Sequence, residues 1–204
     1  PESAEAIAVD PVTSDLVVAG RAMTNLPVLN AIQGTNGGFS DAFAARFSVN
    51  GMALRWSTYL GGAGDDWALD AAADAGGNAY VVGSSDSPNF PTANALRSTF
   101  VNTEGFLAKI GPTGTRAFAT YVGGSGYDAL YGVGLAPDGG IFVAGNTDSP
   151  DLAIAAATQA ALGGAIDDFV AKVAAAGTSM PFATYLGGAG YESAYGLAVD
   201  RGGF

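Results

Sequence analysis

Tyr59-Leu-Gly-Gly-Ala-Gly-Asp65 returns as Tyr121-Val-Gly-Gly-Ser-Gly-Tyr127 and again as Tyr185-Leu-Gly-Gly-Ala-Gly-Tyr191, at steps of 62 and 64 residues. A tract that recurs at so long a period marks a repeat architecture, each copy being one supersecondary unit packed on its neighbours. Residues present in every copy are more often needed to build the unit than to perform chemistry. The period therefore says more about fold than about function.

Aligning on these tracts brings four further columns into register. Ile7-Ala-Val-Asp10, Ala71-Ala-Ala-Asp74, Val133-Gly-Leu-Ala136 and Leu197-Ala-Val-Asp200 are short, apolar and small. Leu16-Val-Val-Ala-Gly20, Tyr80-Val-Val-Gly83 and Phe142-Val-Ala-Gly145 are β-branched or aromatic and close on glycine, the composition of buried strands. Asp41-Ala-Phe-Ala-Ala-Arg-Phe47, Glu104-Gly-Phe-Leu-Ala-Lys-Ile110 and Asp167-Asp-Phe-Val-Ala-Lys-Val173 alternate with period two, so phenylalanine and alanine share one face and the basic residue points from the other. The fourth column is Leu54-Arg-Trp-Ser-Thr-Tyr-Leu60, Ala117-Phe-Ala-Thr-Tyr-Val122 and Pro181-Phe-Ala-Thr-Tyr-Leu186. Tight turns such as Asp74-Ala-Gly-Gly-Asn78, Pro137-Asp-Gly-Gly140, Val49-Asn-Gly51, Pro112-Thr-Gly114 and Ala175-Ala-Gly177 join strand one to two and three to four as hairpins. An all-β fold of four antiparallel strands per repeat, about 63 residues each, matches one β-propeller blade per copy better than a sandwich or a helical solenoid.

Tyr59-Leu-Gly-Gly-Ala-Gly-Asp-Asp66, Gly77-Asn-Ala-Tyr-Val-Val-Gly83 with Ser87-Pro-Asn-Phe-Pro91, and Asp168-Phe-Val-Ala-Lys172 resemble the SBBP repeat family, named for a seven-bladed β-propeller. That resemblance implies a propeller fold and a place in a bacterial surface or secreted protein. It implies no catalytic residue.

Pro1-Glu-Ser-Ala-Glu-Ala-Ile-Ala-Val-Asp10 aligns with Tyr191-Glu-Ser-Ala-Tyr-Gly-Leu-Ala-Val-Asp200, 190 residues on. The expected organisation is blade 1 over 1–64, blade 2 over 65–126, blade 3 over 127–190 and the first strand of a further blade over 191–204. Three blades do not comfortably close a ring. A cut through a longer propeller, copies that complete one another, or an open array with exposed edge strands are the expectations. The chain starts at Pro1 rather than methionine, which fits a processed end or a cut.

Composition narrows the functions. With 49% apolar residues and 13% charged ones, the chain has the makings of a packed core. A net charge of -11 repels phosphate backbones and anionic lipid surfaces, so neither nucleic acid nor membrane insertion is an expected partner. There is no long apolar run and no signal-peptide pattern. Without histidine or cysteine there is no disulfide, no usual zinc site, no imidazole base and no thiol nucleophile.

Antiparallel connectivity puts the junctions after strands two and four at one end of each blade and the tight turns at the other. The second-to-third connections, Arg21 to Ser40, Ser84 to Thr103 and Asn146 to Ile166, are long enough to be functional or disordered. They share an end with the Gly-Gly tracts, so a ligand site is expected there. The candidate residues follow each tract: Asp65, Asp66 and Trp67; Tyr127 and Asp128; Tyr191 and Glu192. Carboxylates beside rings at a channel mouth could ligate calcium or hydrogen-bond a stacked sugar. Structurally, the same acids would cap turn amides while the rings wedge between blades. Ser85-Asp-Ser-Pro88 and Thr147-Asp-Ser-Pro150 read as Asx or Ser turns, and calcium would need further oxygens converging from elsewhere. Arg46, Lys109 and Lys172, with the strand-end acids Asp10, Asp74 and Asp200, read as inter-blade ion pairs or solvated charges; repeat two departs, with Ala136 in the acid column and Asp138 two places on.

No cofactor, metal or catalytic residue is assigned. The expected function is a non-enzymatic extracellular or cell-surface scaffold whose loop-rich face binds protein or glycan. The alternatives are a structural subunit that self-associates through open blade edges into a fibre or surface layer, and a polysaccharide hydrolase or lyase using Asp65, Asp66 or Asp128.

Overall fold

A computed structural model describes residues 2–200; Pro1 of the expected first blade and residues 201–204 of the expected fourth-blade segment lie outside them. Three four-stranded antiparallel sheets follow one another along the chain. Blade 1 is β1 (Ser3–Val9), β2 (Leu16–Ala22), β3 (Asp41–Phe47) and β4 (Leu54–Leu60). Blade 2 is β5 (Asp66–Ala73), β6 (Ala79–Ser85), β7 (Glu104–Ile110) and β8 (Arg116–Val122). Blade 3 is β9 (Asp128–Leu135), β10 (Ile141–Thr147), β11 (Asp167–Val173) and β12 (Phe182–Leu186). In each sheet the strands lie side by side in chain order. The tight turns fall where the sequence places them; Gly77, Gly114 and Gly177 take positive φ there, a conformation that disfavours any residue with a Cβ.

Every first strand carries one extra residue. Pairing steps from Ala4 to Ala6 in β1, from Ala68 to Asp70 in β5, and across Leu130 to Gly132 in β9, so Glu5, Leu69 and Tyr131 are bulged out of the ladder. The glycine two residues before the end of each second strand is the counterpart of that bulge. A Cβ on Gly20, Gly83 or Gly145 would stand 2.0, 1.7 or 1.9 Å from the carbonyl oxygen of Ser3, Trp67 or Ala129. A bulge bends a strand and re-aims its side chains.

The blades stack in one sense. Phe106, Ala108 and Ile110 of β7 share a buried cluster with Ala42 and Ala44 of β3, and Phe169, Ala171 and Val173 of β11 share one with Leu107 of β7. Thus the phenylalanine face of each blade packs on the alanine and leucine face of the blade before it. Backbone links stitch the loop-rich end: Asp66 N–H donates to Ser40 O at 2.8 Å and Asp128 N–H to Thr103 O at 2.9 Å.

Of residues 191–204, expected as the first strand of a further blade, 192–200 lie against β9 without forming a ladder. Leu197 and Val199 press on Gly132 and Gly134, and Ala194 N–H donates to Asp168 Oδ1 at 2.6 Å. First strands elsewhere in the chain pair only with the second strand of their own blade, and no described residue offers that partner here.

The long loops are ordered and run along the outer edge. Leu29, Ala93 and Ala155 form antiparallel bridges to Ser57, Ala119 and Ala183 of the fourth strands. Two residues farther along each fourth strand, Tyr59, Tyr121 and Tyr185 N–H donate to the carbonyls of Gln33, Arg97 and Gln159. Edge groups that would template association are thereby engaged.

At the tight-turn end the three basic residues have three different partners. Arg46 is buried, bonding Asp10 at 2.5 Å, Asp15 at 3.1 Å and, across the blade boundary, Gly77 O at 2.6 Å. Lys109 lies 5.0 Å over the Tyr80 ring, whose hydroxyl donates to Asp74. Lys172 pairs with Asp138 at 2.6 Å, the acid displaced two places in the sequence column.

Candidate functional site

The Gly-Gly-x-Gly tracts carry the chain from one blade to the next, and their glycines are set by what surrounds them. A Cβ on Gly61 would lie 2.5 Å from Asp41 Cγ and 2.6 Å from Asp66 Oδ2; one on Gly62 would lie 2.4 Å from Asn89 Oδ1 and 2.7 Å from Ser87 Cβ. Asp66 sits inside this turn. Its carboxylate accepts from Ser85 Oγ, from Ser87 Oγ at 2.7 Å and from Gly62 N–H at 2.8 Å. Asp128 repeats the arrangement with Thr147 at 2.5 Å, Ser149 at 2.8 Å and Gly124 N–H at 2.8 Å. The two Ser/Thr-Asp-Ser-Pro segments therefore hold the acid of their own blade's first strand. Burial pushes the Asp66 carboxyl up to about 6 and raises Asp128 as well, against the lowering effect of these donors.

A second layer of acids begins the third strands. Asp41 accepts from Gln33 Nε2 and from Gly37 N–H at 2.9 Å, while its Oδ1, near Gly38, lacks a well-formed hydrogen bond. Asp167 accepts from Gln159 Nε2 at 2.9 Å and from Gly163 and Gly164 N–H. Blade 2 replaces this Gln–Asp pair by Arg97 and Glu104, a two-pronged ion pair around a fully buried carboxylate, and Arg97 also donates to Gly124 O at 2.8 Å. An uncompensated charge at such a site would be costly, so arginine and glutamate occur together.

The remaining candidates spread over the mouth of the first strands. Asp65 is half-buried and accepts from Ser40 Oγ at 2.5 Å. Trp67, one residue past buried Asp66 on an alternating strand, points the other way and is 43% exposed, with the Arg21 guanidinium 4.3 Å over its ring. Tyr127 is half-buried, its hydroxyl 3.4 Å from that of Tyr131. Tyr191 is 77% exposed, and Glu192 sits over Gly188 and Gly190 with Oε2 buried and without a hydrogen bond among the described residues.

Trp67 and Tyr127 meet at one cleft of about 230 Å³ between blades 2 and 3. Of the other groups that line it, the sequence reading placed Asp86 in a turn and did not single out Leu69, Tyr131, Ser84 or Thr103. Tyr131 stands in the bulge column with Glu5, Leu69 and Tyr195, where an aromatic ring at an extra residue was the available signal. The described residues contain no group of three or more acidic side chains placed to hold a metal ion.

Residues 55–91 match the family model for SBBP, a β-propeller repeat. The matched stretch runs from β4 through the first Gly-Gly tract and β5 to the end of the Ser85-Asp-Ser-Pro88 turn, so it spans a junction between blades. No curated protein matches the chain.

Proposed function

We propose that this β-propeller-repeat protein is an extracellular or cell-surface binding scaffold, without catalysis of its own, whose loop-rich face recognises protein or glycan. The observation that carries this reading is the division of labour at the loop-rich end. Asp66 and Asp128 are sealed, each accepting three hydrogen bonds inside a turn, whereas Trp67 and Tyr127 present partly open rings to a shared cleft. Open aromatic surface beside polar groups is what recognition sites use. The test is capture of surface proteins and a glycan array, run with the chain and with a Trp67→Ala, Tyr127→Ala variant of unchanged melting temperature. Capture lost in the variant is the expected result. Capture equal in both, or polysaccharide turnover that disappears when Asp65, Asp66 and Asp128 are replaced, would overturn the reading.

One observation favours association of copies as a second reading. Ile7 and Val9 are 64% and 57% exposed on β1, while their column-mate Ala71 is buried against blade 1 and Val133 against blade 2. Since the outer edges are covered by loops, such contact would use blade faces. A mass that stays monomeric by light scattering at high concentration would exclude it.

A further inference from the structure

The loop-rich ends of neighbouring blades leave a notch between the second strand of one blade and the first strand of the next, and the three notches are filled differently. In the first, Arg21 of β2 reaches over to β5 and its guanidinium lies 4.3 Å above the Trp67 ring. In the third, Asn146, in the same column as Arg21, donates to Ser193 Oγ at 3.3 Å and accepts from Ala194 N–H at 3.2 Å. In the middle notch the same column holds Ser84, opposite Trp67 in the β5–β6 ladder, and the facing residue of blade 3 is Ala129. Neither residue has the reach of Arg21 or Asn146, and Ser84 lines the open cleft of about 230 Å³.

We infer that this middle notch receives a basic side chain, guanidinium or ammonium, presented by a partner protein, in the way the first notch receives Arg21. The inference rests on the binding reading above and names the chemistry of one of its sites. Trp67, Tyr127 and Tyr131 supply rings, whose faces attract cations. Asp86 supplies a carboxylate that accepts Thr103 Oγ1 at 2.6 Å on Oδ1; no other side-chain hydrogen bond reaches it among the described residues. A net charge of -11 draws cations toward the molecule as a whole. Two carboxylates act at the cleft: Asp86 and Asp128 add to the larger effects of burial and of Tyr131 in pushing the Tyr127 phenol upward. Size decides between occupants. A cleft of about 230 Å³ lies below the roughly 300–1,000 Å³ of sites that enclose larger ligands, which suits one side chain better than an oligosaccharide.

The test follows the indole signal of Trp67 by NMR in the 204-residue chain, assigned with Trp67→Phe, during titration with blocked arginine amide. Blocked citrulline amide, equal in shape and uncharged, and methyl glucoside are titrated in parallel. The expected result is a saturable shift with arginine, at least fivefold weaker with citrulline and with Asp86→Asn, and absent in Ser84→Arg, which carries its own guanidinium into the notch. Should Ser84→Arg fail to fold, the citrulline and Asp86→Asn comparisons decide alone. Equal binding of citrulline, unchanged binding in a folded Ser84→Arg, or no shift with arginine would each overturn the inference. A shift with methyl glucoside alone would overturn it while leaving recognition at the loop-rich face standing.

Discussion

Tyr59-Leu-Gly-Gly-Ala-Gly64 and Tyr185-Leu-Gly-Gly-Ala-Gly190 are the same six residues in different surroundings. After blade 1 the tract is gripped: Leu60 is fully buried, Gly62 and Ala63 N–H donate to Asp66 and Asn89, and Gly64 N–H donates to Ser87. After blade 3, Leu186 is 61% exposed and nothing stands within 3.5 Å of where a Cβ on Gly188 would be. The hexapeptide is thus not a self-contained turn. It is half of a joint whose other half is the Ser-Asp-Ser-Pro segment of the following blade, and the stretch matched by the repeat model, residues 55–91, contains both halves.

The comparison is broken most directly at the leucines. Leu60→Ala empties a site in the core shared by blades 1 and 2 and is expected to cost about 2–5 kcal/mol, against about 0.5 kcal/mol or less for Leu186→Ala. Urea denaturation of both variants checks this; equal losses would mean the two tracts are held alike.

Next in size is the acid inside the first joint. Because Asp66 titrates at about 6 in the folded chain against an ordinary 3.8, the folded state holds a proton that the unfolded chain has released between those values. Its contribution is complete below pH 4 and is lost as pH rises through 6, a fall of about 2–3 kcal/mol. Subtracting the stability–pH curve of Asp66→Asn from that of the parent isolates this fall from those of the other buried acids. A flat difference between pH 4 and 7 would contradict it.

Gly62→Ala and Gly188→Ala sharpen the contrast with a single methyl. The first drives a Cβ into Asn89 and Ser87 and is expected to cost about 1–3 kcal/mol. The second meets only Glu192 Oε1 at an ordinary contact distance of 3.7 Å and should be neutral or stabilising by about 0.5 kcal/mol. Melting temperatures of the pair report the difference.

The smallest effect lies in the loops. Asn30 and Asn94 take positive φ where each loop bridges its fourth strand, and each side chain bonds a carbonyl of that strand. Ala156 holds the same conformation at φ 50° without such a side chain. Ala156→Asn should therefore stabilise blade 3 by about 0.5–1 kcal/mol, measurable as a rise in melting temperature.

Period and alternation made the strands, the hairpin turns and the blade order legible, because those signals repeat in every copy. Alternation also held the answer to the acid–aromatic pairs: neighbours on a strand face opposite ways, so Asp66 goes into the turn and Trp67 out to the cleft. The bulges were hidden, since an extra residue on one strand is visible only against its partner; Gly20, Gly83 and Gly145 were its indirect trace. The loop path was hidden for another reason. Gln33 and Asp41 stand eight residues apart, as do Gln159 and Asp167, but Arg97 and Glu104 are seven apart, so a shorter loop with longer side chains breaks the column. The cleft lies beside Ser84, where the same column holds the longer Arg21 and Asn146, and that it lies there is seen only by comparing the notches in space.

The Arg97–Glu104 pair bears on how a chain of near-identical repeats finds its own partners. Repeat proteins misassemble when a strand of one unit docks into its neighbour. Were the third strands of blades 1 and 2 exchanged, Glu104 would enter a loop that offers Gln33 and no cation, while Arg97 would face the shorter reach of Asp41. Glu104 would lose the guanidinium that grips it with two prongs, and Arg97 would give up that geometry for a shorter carboxylate. Alternating Gln–Asp, Arg–Glu and Gln–Asp along the chain thus makes adjacent blades chemically different where their backbones are nearly the same.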